Sequence, residues 1–211
     1  NGSVDAGYTT PGYHAGKIPA VSYFTAVPFG PGASEYHGWM EYGGGQQLKD
    51  RIYGEYGLKA LNCLTHAPET SGWFRKKINN VEELKGMKMR FFGLGAMVMS
   101  KLGVSTQLLA GGDIYPALEK GVIDATEFSM PTHDLSYGFY QLAKFNYFPG
   151  WHQQTSIGEL LMSTKGWGGL TKTQQAVINT ACRDTMWWAL VRSVAKQVPA
   201  MAELENKGVT F

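Results

Sequence analysis

The sequence predicts a mixed α/β protein built as two lobes, with one long kinked helix running between them. Two patterns carry that expectation. Between residues 80 and 127, short apolar strands alternate with helices of about ten residues, the rhythm of a parallel sheet covered on both faces. From residue 172 to residue 207 a single helical pattern continues; at ~1.5 Å per residue it would extend roughly 50 Å, further than one lobe needs.

Taken in order, residues 1–7 read as a turn entering a strand, and the Gly/Pro-rich stretch 8–17 as a loop at its end. Residues 32–56 read as helical with a break at Gly43-Gly44-Gly45, since Leu48, Ile52 and Tyr53 keep a three/four spacing. A strand is expected over 58–65. Asn80 with Glu83 marks a helix start, followed by strand 87–92, helix 94–102, strand 104–109, helix 113–120 stopped by Gly121, and strand 122–127. A further strand is expected over 155–163. Thr171 and Gln174 form a capping box ahead of the long helix, Pro199 should kink it, and Gly208 should stop it. Val177, Ile178, Ala181, Cys182, Met186, Leu190, Val191, Val194 and Val198 read as its core-facing stripe. No internal repeat or low-complexity tract interrupts the pattern.

Composition bounds the partners. The 211 residues fit one large domain or two small lobes, and a net charge of +2 is too small to argue for nucleic acid or an anionic membrane surface. No run approaches 18 consecutive apolar residues, the length that would suggest a spanning helix. Six Trp and eleven Tyr suit aromatic-lined clefts and large core positions equally. The first residues carry neither an initiator Met nor a signal sequence, and residues 207–211 read as a helix stop entering a strand, so an internal fragment is expected. Cys63 and Cys182 stand far apart among apolar neighbours, which reads as two buried free thiols.

Enzyme signatures are weak. Phe92-Gly93-Leu94-Gly95-Ala96-Met97-Val98 follows a strand and opens a helix, as a dinucleotide fingerprint does, but Val98 stands where Gly or Ala is needed for close helix–strand packing. No P-loop or GxSxG elbow is present, and the five histidines form no i,i+4 pair. Arg90 is different. It sits near the carboxyl end of an apolar strand, where open sheets bind ligands, and a guanidinium there suits a carboxylate held by two parallel hydrogen bonds. A structural ion pair is the competing reading, with equal weight. Glu127 ends another strand and could ligate a cation or pair with Arg90. Glu69 and Gln153 are polar residues beside aromatic loops, ambiguous on their own.

Together these segments resemble the substrate-binding proteins of TRAP transporters, the DctP-like family, and within it the branch that binds α-keto or α-hydroxy acids. The residues carrying the likeness include Val4-Asp5-Ala6-Gly7, Ala26-Val27-Pro28-Phe29-Gly30, Gly43-Gly44-Gly45-Gln46, Gly72-Trp73-Phe74-Arg75-Lys76 and Tyr147-Phe148-Pro149-Gly150-Trp151. Most specific are Leu84-Lys85-Gly86-Met87-Lys88-Met89-Arg90 and Ala117-Leu118-Glu119-Lys120-Gly121-Val122-Ile123-Asp124-Ala125, the latter leading through Thr126 to Glu127. The resemblance implies a two-lobed, periplasmic-binding-protein-like fold lacking the N-terminal part of lobe one. Lobe one is expected at 1–66 and 155–195, lobe two at 67–154 and 196–211.

It also implies a periplasmic receptor that is no enzyme and needs no catalytic cofactor, delivering a small carboxylate to TRAP membrane permease subunits, with room for a homodimer. Arg90 would hold the carboxylate. A sodium or calcium ion bridging substrate and protein would be held by Glu69, Glu127, the Phe128 carbonyl and Gln153, with Glu69, Phe128 and Gln153 also facing the ligand. The chain departs from the family pattern where Gln is common at 69, an acid at 153 and Trp at 128; exchanging Glu69 and Gln153 preserves charge, and hard cations accept either oxygen. A ligand-sensing module of a signalling protein is the alternative, with an α/β dinucleotide-binding oxidoreductase behind it.

Overall fold

The computed structural model describes residues 4–211, so the first three residues of the expected opening turn lie outside it. Strand β1 (Ala6–Thr9) takes in Tyr8 and Thr9 of the expected loop, and a 3-10 turn at Pro11–His14 follows. Helices α1 (Ala33–Tyr42) and α2 (Gly45–Gly54) flank the predicted glycine break, where Gly44 adopts φ 86°. Strand β2 (Leu58–His66) is the strand expected at 58–65. Next come β3 (Gly72–Phe74), a 3-10 turn capped by Asn80, β4 (Lys88–Arg90), α3 (Gly93–Lys101) and β5 (Ser105–Gln107). Helix α4 (Gly111–Glu119), β6 (Ala125–Thr126), α5 (Pro131–Tyr137), β7 (Phe145–Tyr147), β8 (Ser156–Ser163), α6 (Thr164–Gly168) and α7 (Lys172–Asn206) complete the chain.

Two sheets result. One is antiparallel, in the order β1-β8-β2; the other is mixed, in the order β5-β4-β6-β3-β7. The expected parallel sheet is present only in β5-β4-β6, with Arg90 opposite Gln107 on one side and Thr126 on the other. β3 and β7 join it antiparallel. Three-residue strands such as these are too short to show a period of two, so their residues gave no strand signal.

The cores separate along the same line. Trp73, Ile114, Leu118, Ile123, Phe139 and Leu204 pack on one side of the mixed sheet, while Phe74, Met89, Phe91 and Met99 form a second cluster. Around the antiparallel sheet, smaller clusters gather Val21, Tyr53 and Ala60, then Phe24, Met40 and Ile157. α2 docks there through Lys49, whose ammonium lies 2.6 Å from Glu159 on β8, both side chains fully buried. Tyr53 Oη–H donates to the other oxygen of Glu159 at 2.5 Å, and Lys49 also donates to Asn62 at 2.6 Å. Burial lowers the Lys49 pKa, with Glu159 pulling the other way. A pair this deep contributes specificity rather than net stability, but losing either partner leaves a charge uncompensated.

Helix α7 begins on the predicted box: Gln174 N–H donates to Thr171 Oγ1, and Thr171 N–H to Gln174 Oε1. It runs through Pro199. Ile178 and Cys182 pack with Leu61 beside the antiparallel sheet, and Leu204 enters the core of the mixed one. The helix therefore spans both sheets. Its expected stripe is split, however. Of its members Cys182 is buried and Ile178, Met186 and Leu190 are half-buried, whereas Val177, Val191, Val194 and Val198 are exposed; Ala189, Ala200 and Leu204, outside the stripe, are the other apolar residues the helix buries. A three/four spacing fits either side of a long helix, so periodicity could not tell the two faces apart.

The cysteines need a correction. Cys63 and Cys182 are not free thiols; they form a disulfide between β2 and α7 across 119 positions. Only the packing of α7 on β2 brings them together, and spacing carries no sign of it. Closing so long a loop restricts the unfolded chain. We expect Cys63→Ser in the full-length protein to lower stability by roughly 2–5 kcal/mol, read as a lower guanidinium midpoint, and reductant to shift the wild type but not the variant.

Candidate functional site

Arg90 and Glu127 meet because β4 and β6 run parallel and stop together. Glu127 N–H donates to the Arg90 carbonyl at 3.1 Å, which continues the ladder past Thr126 and turns the Glu127 side chain to the guanidinium. Arg90 Nη1 donates to Glu127 Oε2 at 2.9 Å and to the Glu127 carbonyl at 2.8 Å, and Arg90 Nε donates to the Leu109 carbonyl at 3.2 Å. Glu127 Oε2 also accepts from the Phe92 N–H at 3.0 Å. The guanidinium is 1% exposed and lies between two rings, 5.2 Å from the centroid of Phe128 and 6.0 Å from that of Phe92.

This geometry narrows the two-bond grip expected of Arg90. With Nε and Nη1 engaged by the protein, Nη2 is the arm left for a guest, and its protein contact is a long 3.4 Å one to the Tyr13 hydroxyl. The competing reading, a structural ion pair, is half right: Arg90 does pair with Glu127. Yet the other oxygen of Glu127, Oε1, is buried without a hydrogen-bond partner and lies 3.4 Å from His152 Nε2, which is equally unpartnered. Unlike Glu159, whose second oxygen faces the Lys49 ammonium at 2.6 Å, this oxygen faces a second buried acid, Glu69, across His152.

Glu69 completes the group. Its N–H donates to the Gln153 carbonyl at 3.3 Å, and its carbonyl accepts from Gly150 N–H at 2.6 Å, clamping the 150–153 loop onto residue 69. A side chain at Gly150 would run into the Glu69 carbonyl, so this approach requires glycine. The Glu69 carboxylate stands 4.0 Å from His152 Nε2. One ligand atom each from Glu69, Glu127 and His152 lies within 4.8 Å of the others, all three residues buried.

The electrostatics of the two acids differ. Burial, reinforced by the charges of Glu127 and Asp134, pushes the Glu69 carboxyl well above the usual range, with Arg90 and the Gln153 side chain opposing. Burial also acts to raise Glu127, but Arg90, His152 and the Phe92 N–H together outweigh it and hold Glu127 below the usual range. Two close carboxylates facing one guanidinium favour either a retained proton or an added cation. The orphaned Glu127 Oε1, the nearby Glu69 oxygen and an adjacent amide at Gln153 fit a hard cation; His152 nitrogen widens the donor set beyond oxygen.

The five residues singled out from sequence, Arg90, Glu127, Phe128, Glu69 and Gln153, thus gather in one cluster, buried except for the half-buried Phe128. Sequence reasoning missed His152, set aside for want of a helical partner, although its neighbours here arrive from separate loops. It also missed Tyr13, and the pair in which Trp73 Nε1–H donates to Asp134 Oδ2 at 2.7 Å. The glycine turn at 93–95 serves packing: a side chain at Gly95 would collide with the Phe91 ring and crowd His152.

Comparison with known proteins agrees with this architecture. The model of the DctP family, bacterial extracellular solute-binding protein family 7, matches residues 1–211. A monocarboxylate 2-oxoacid-binding periplasmic protein of Nostoc sp. is 39% identical over 180 residues, which is 85% of this chain and 50% of the relative. A TRAP transporter solute-binding protein of Bordetella bronchiseptica, a dimer with copurified calcium and picolinate in its active site, superposes with a TM-score of 0.97 at 35% identity over 100% of this chain and 62% of its own. A TRAP periplasmic solute-binding protein of Pseudoalteromonas atlantica with bound sodium and pyruvate gives 0.94 at 32% identity, over 99% and 64%. The chain thus spans about half the length of the curated relative and under two thirds of these structures.

Asp134 offers a test of the electrostatics. Burial pushes its carboxyl from the ordinary 3.8 up to about 7, opposed by the Trp73 N–H and assisted by Glu127. A raised carboxyl holds its proton more tightly in the folded chain, so its contribution to stability is greatest at low pH and falls as pH rises from about 4 to about 7. Asp134→Asn keeps an oxygen for Trp73 and removes the titration. We expect the wild type to lose up to about 4 kcal/mol relative to the variant across that window, read from denaturation midpoints; parallel pH curves would show that Asp134 is not raised.

Proposed function

The chain belongs to the DctP family, bacterial extracellular solute-binding protein family 7, and on that premise we propose that it is the larger part of a TRAP receptor for a small 2-oxo or 2-hydroxy monocarboxylic acid. The buried cluster of Arg90, Glu127 and Glu69, with the Glu127 Oε1 and His152 Nε2 atoms unpartnered, carries the reading. Relatives at 35% and 32% identity hold picolinate with calcium and pyruvate with sodium, compounds in which a carboxylate stands beside a second donor atom. Arg90 Nη2 would take a carboxylate oxygen. Glu69 and Glu127 would hold a sodium- or calcium-like ion, joined by the Phe128 carbonyl, Gln153 or His152, and that ion would take the neighbouring ligand oxygen. Phe128 and Tyr13 would wall the ligand.

Lobe boundaries at 66/67, 154/155 and 195/196 are part of the proposal. The supporting observation is that each hydrophobic cluster draws its members from one side of those boundaries. The disulfide supports an oxidising compartment, the periplasm for a TRAP receptor, with membrane permease subunits as its partners. No catalysis is ascribed to the chain; its relatives are solute-binding proteins.

A second copy of the chain is the other proposed partner. Trp187, Val191, Val194 and Val198 follow four-three-four spacing along α7 and are between 42% and 75% exposed. That spacing suits the seam of a helix pair, and the Bordetella relative is a dimer.

Calorimetry on the full-length protein tests the site. Arg90→Ala should lower pyruvate affinity by at least about thirtyfold, since removing one partner from a buried charge contact typically costs about 2–5 kcal/mol, and stripping calcium and sodium should weaken the wild type. Undiminished affinity in the variant sinks the assignment of Arg90; indifference to the ions sinks the bridging cation. For the α7 seam, Val194→Glu should convert a sedimenting dimer to monomer while leaving the circular dichroism unchanged. A wild type that sediments as a monomer removes that partner.

A further inference from the structure

Phe29 combines features that solvent exposure alone does not explain. Residues 27–30 close as a turn, with Gly30 N–H donating to the Val27 carbonyl at 2.9 Å and Pro28 and Phe29 in the centre. Phe29 adopts φ 55°, the one positive value at a non-glycine position among the described residues. Glycine is the residue favoured at that place in such a turn, and a bulky side chain there is strained. Its ring is also 79% exposed. Its partners lie on the far side of the molecule's division: Phe29 N–H donates to the Trp151 carbonyl at 2.9 Å, and its ring packs on Trp151 with centroids 5.7 Å apart.

Trp151 leads directly to the site. It lies 5.8 Å from Phe91 and 5.8 Å from His152, and Phe91 meets His152 edge-on at 4.9 Å. The Trp151 carbonyl also accepts from Gln154 Nε2. The loop carrying His152 and Gln153 is thus held by Glu69 on one face and by Phe29 on the other.

We propose that Phe29 is a positioning residue for the cation-and-carboxylate site: from a strained turn of lobe one it latches Trp151 of lobe two, holding the 150–153 loop in its ligand-binding arrangement. This rests on the two-lobe receptor reading above. Any opening that parts residues 27–30 from the 150–153 loop must break this contact, so its presence slows release. A strained backbone kept in place by contacts with another segment is what a latch of this kind requires.

Two substitutions in the full-length protein separate ring from backbone. Phe29→Ala removes the ring and keeps a strained residue; Phe29→Gly removes both ring and strain. We expect both to speed pyruvate release about three- to tenfold, the worth of an aromatic pair, in stopped flow with saturating calcium, with the association rate little changed. Phe29→Tyr should restore slow release, and Phe29→Gly should melt above Phe29→Ala. Release from Phe29→Ala at the wild-type rate overturns the latch while leaving the receptor reading intact. If the wild type binds no 2-oxo acid, the receptor reading fails instead, and hydrogen exchange still decides the latch: amides of 150–154 should exchange faster in Phe29→Ala, and unchanged protection there overturns it.

Discussion

The fold is organised around one costly contact, the buried pair of Arg90 and Glu127. Taking an ion out of water carries a penalty of several kcal/mol, and here two are placed side by side at the ends of adjacent parallel strands. The protein offsets the penalty with five donor–acceptor contacts: Leu109, the Glu127 carbonyl and carboxylate, the Phe92 N–H and the Tyr13 hydroxyl. It does not offset it completely. Glu127 Oε1 is left without a partner next to a second buried acid, Glu69. A cation would neutralise that surplus and draw Glu69 into its ionised form, whereas a proton on Glu69 does so in the cation's place.

A similar arrangement recurs at the antiparallel sheet with a different outcome. Lys49 and Glu159 are as deeply buried as Arg90 and Glu127, but Asn62 and Tyr53 close around them, and the nearby Asp50 is half-exposed and paired with Lys59. That pair fastens a helix to a strand. What separates the two clusters is the second buried acid, Glu69, within reach of Glu127, rather than burial.

How much of this was legible follows from where each residue sits. Arg90 and Glu127 could be read because both end strands in an α/β unit, a place defined by local periodicity. His152, Tyr13 and Asp134 could not, since each reaches the cluster from its own loop or short helix, and no spacing relates them. The Cys63–Cys182 bridge was misread for the same reason: β2 and α7 meet only through tertiary packing. The stripe on α7 failed differently. Apolar residues cover two faces of one helix, and the sequence alone assigns both to the core.

The arrangement also bears on ligand size. Arg90 presents one arm, Nη2, because its other nitrogens support Glu127 and the Leu109 carbonyl. Phe128 is itself backed by Tyr137 and Phe139, with ring centroids 4.8 and 6.0 Å away, so the wall on that side is stiff. A guest held as proposed, by one guanidinium arm, a cation and the Phe128 ring, would be oriented by where its carboxylate and adjacent oxygen stand relative to each other. On the proposed reading, specificity would lie in that adjacency, common to 2-oxo and 2-hydroxy acids, more than in the length of the tail.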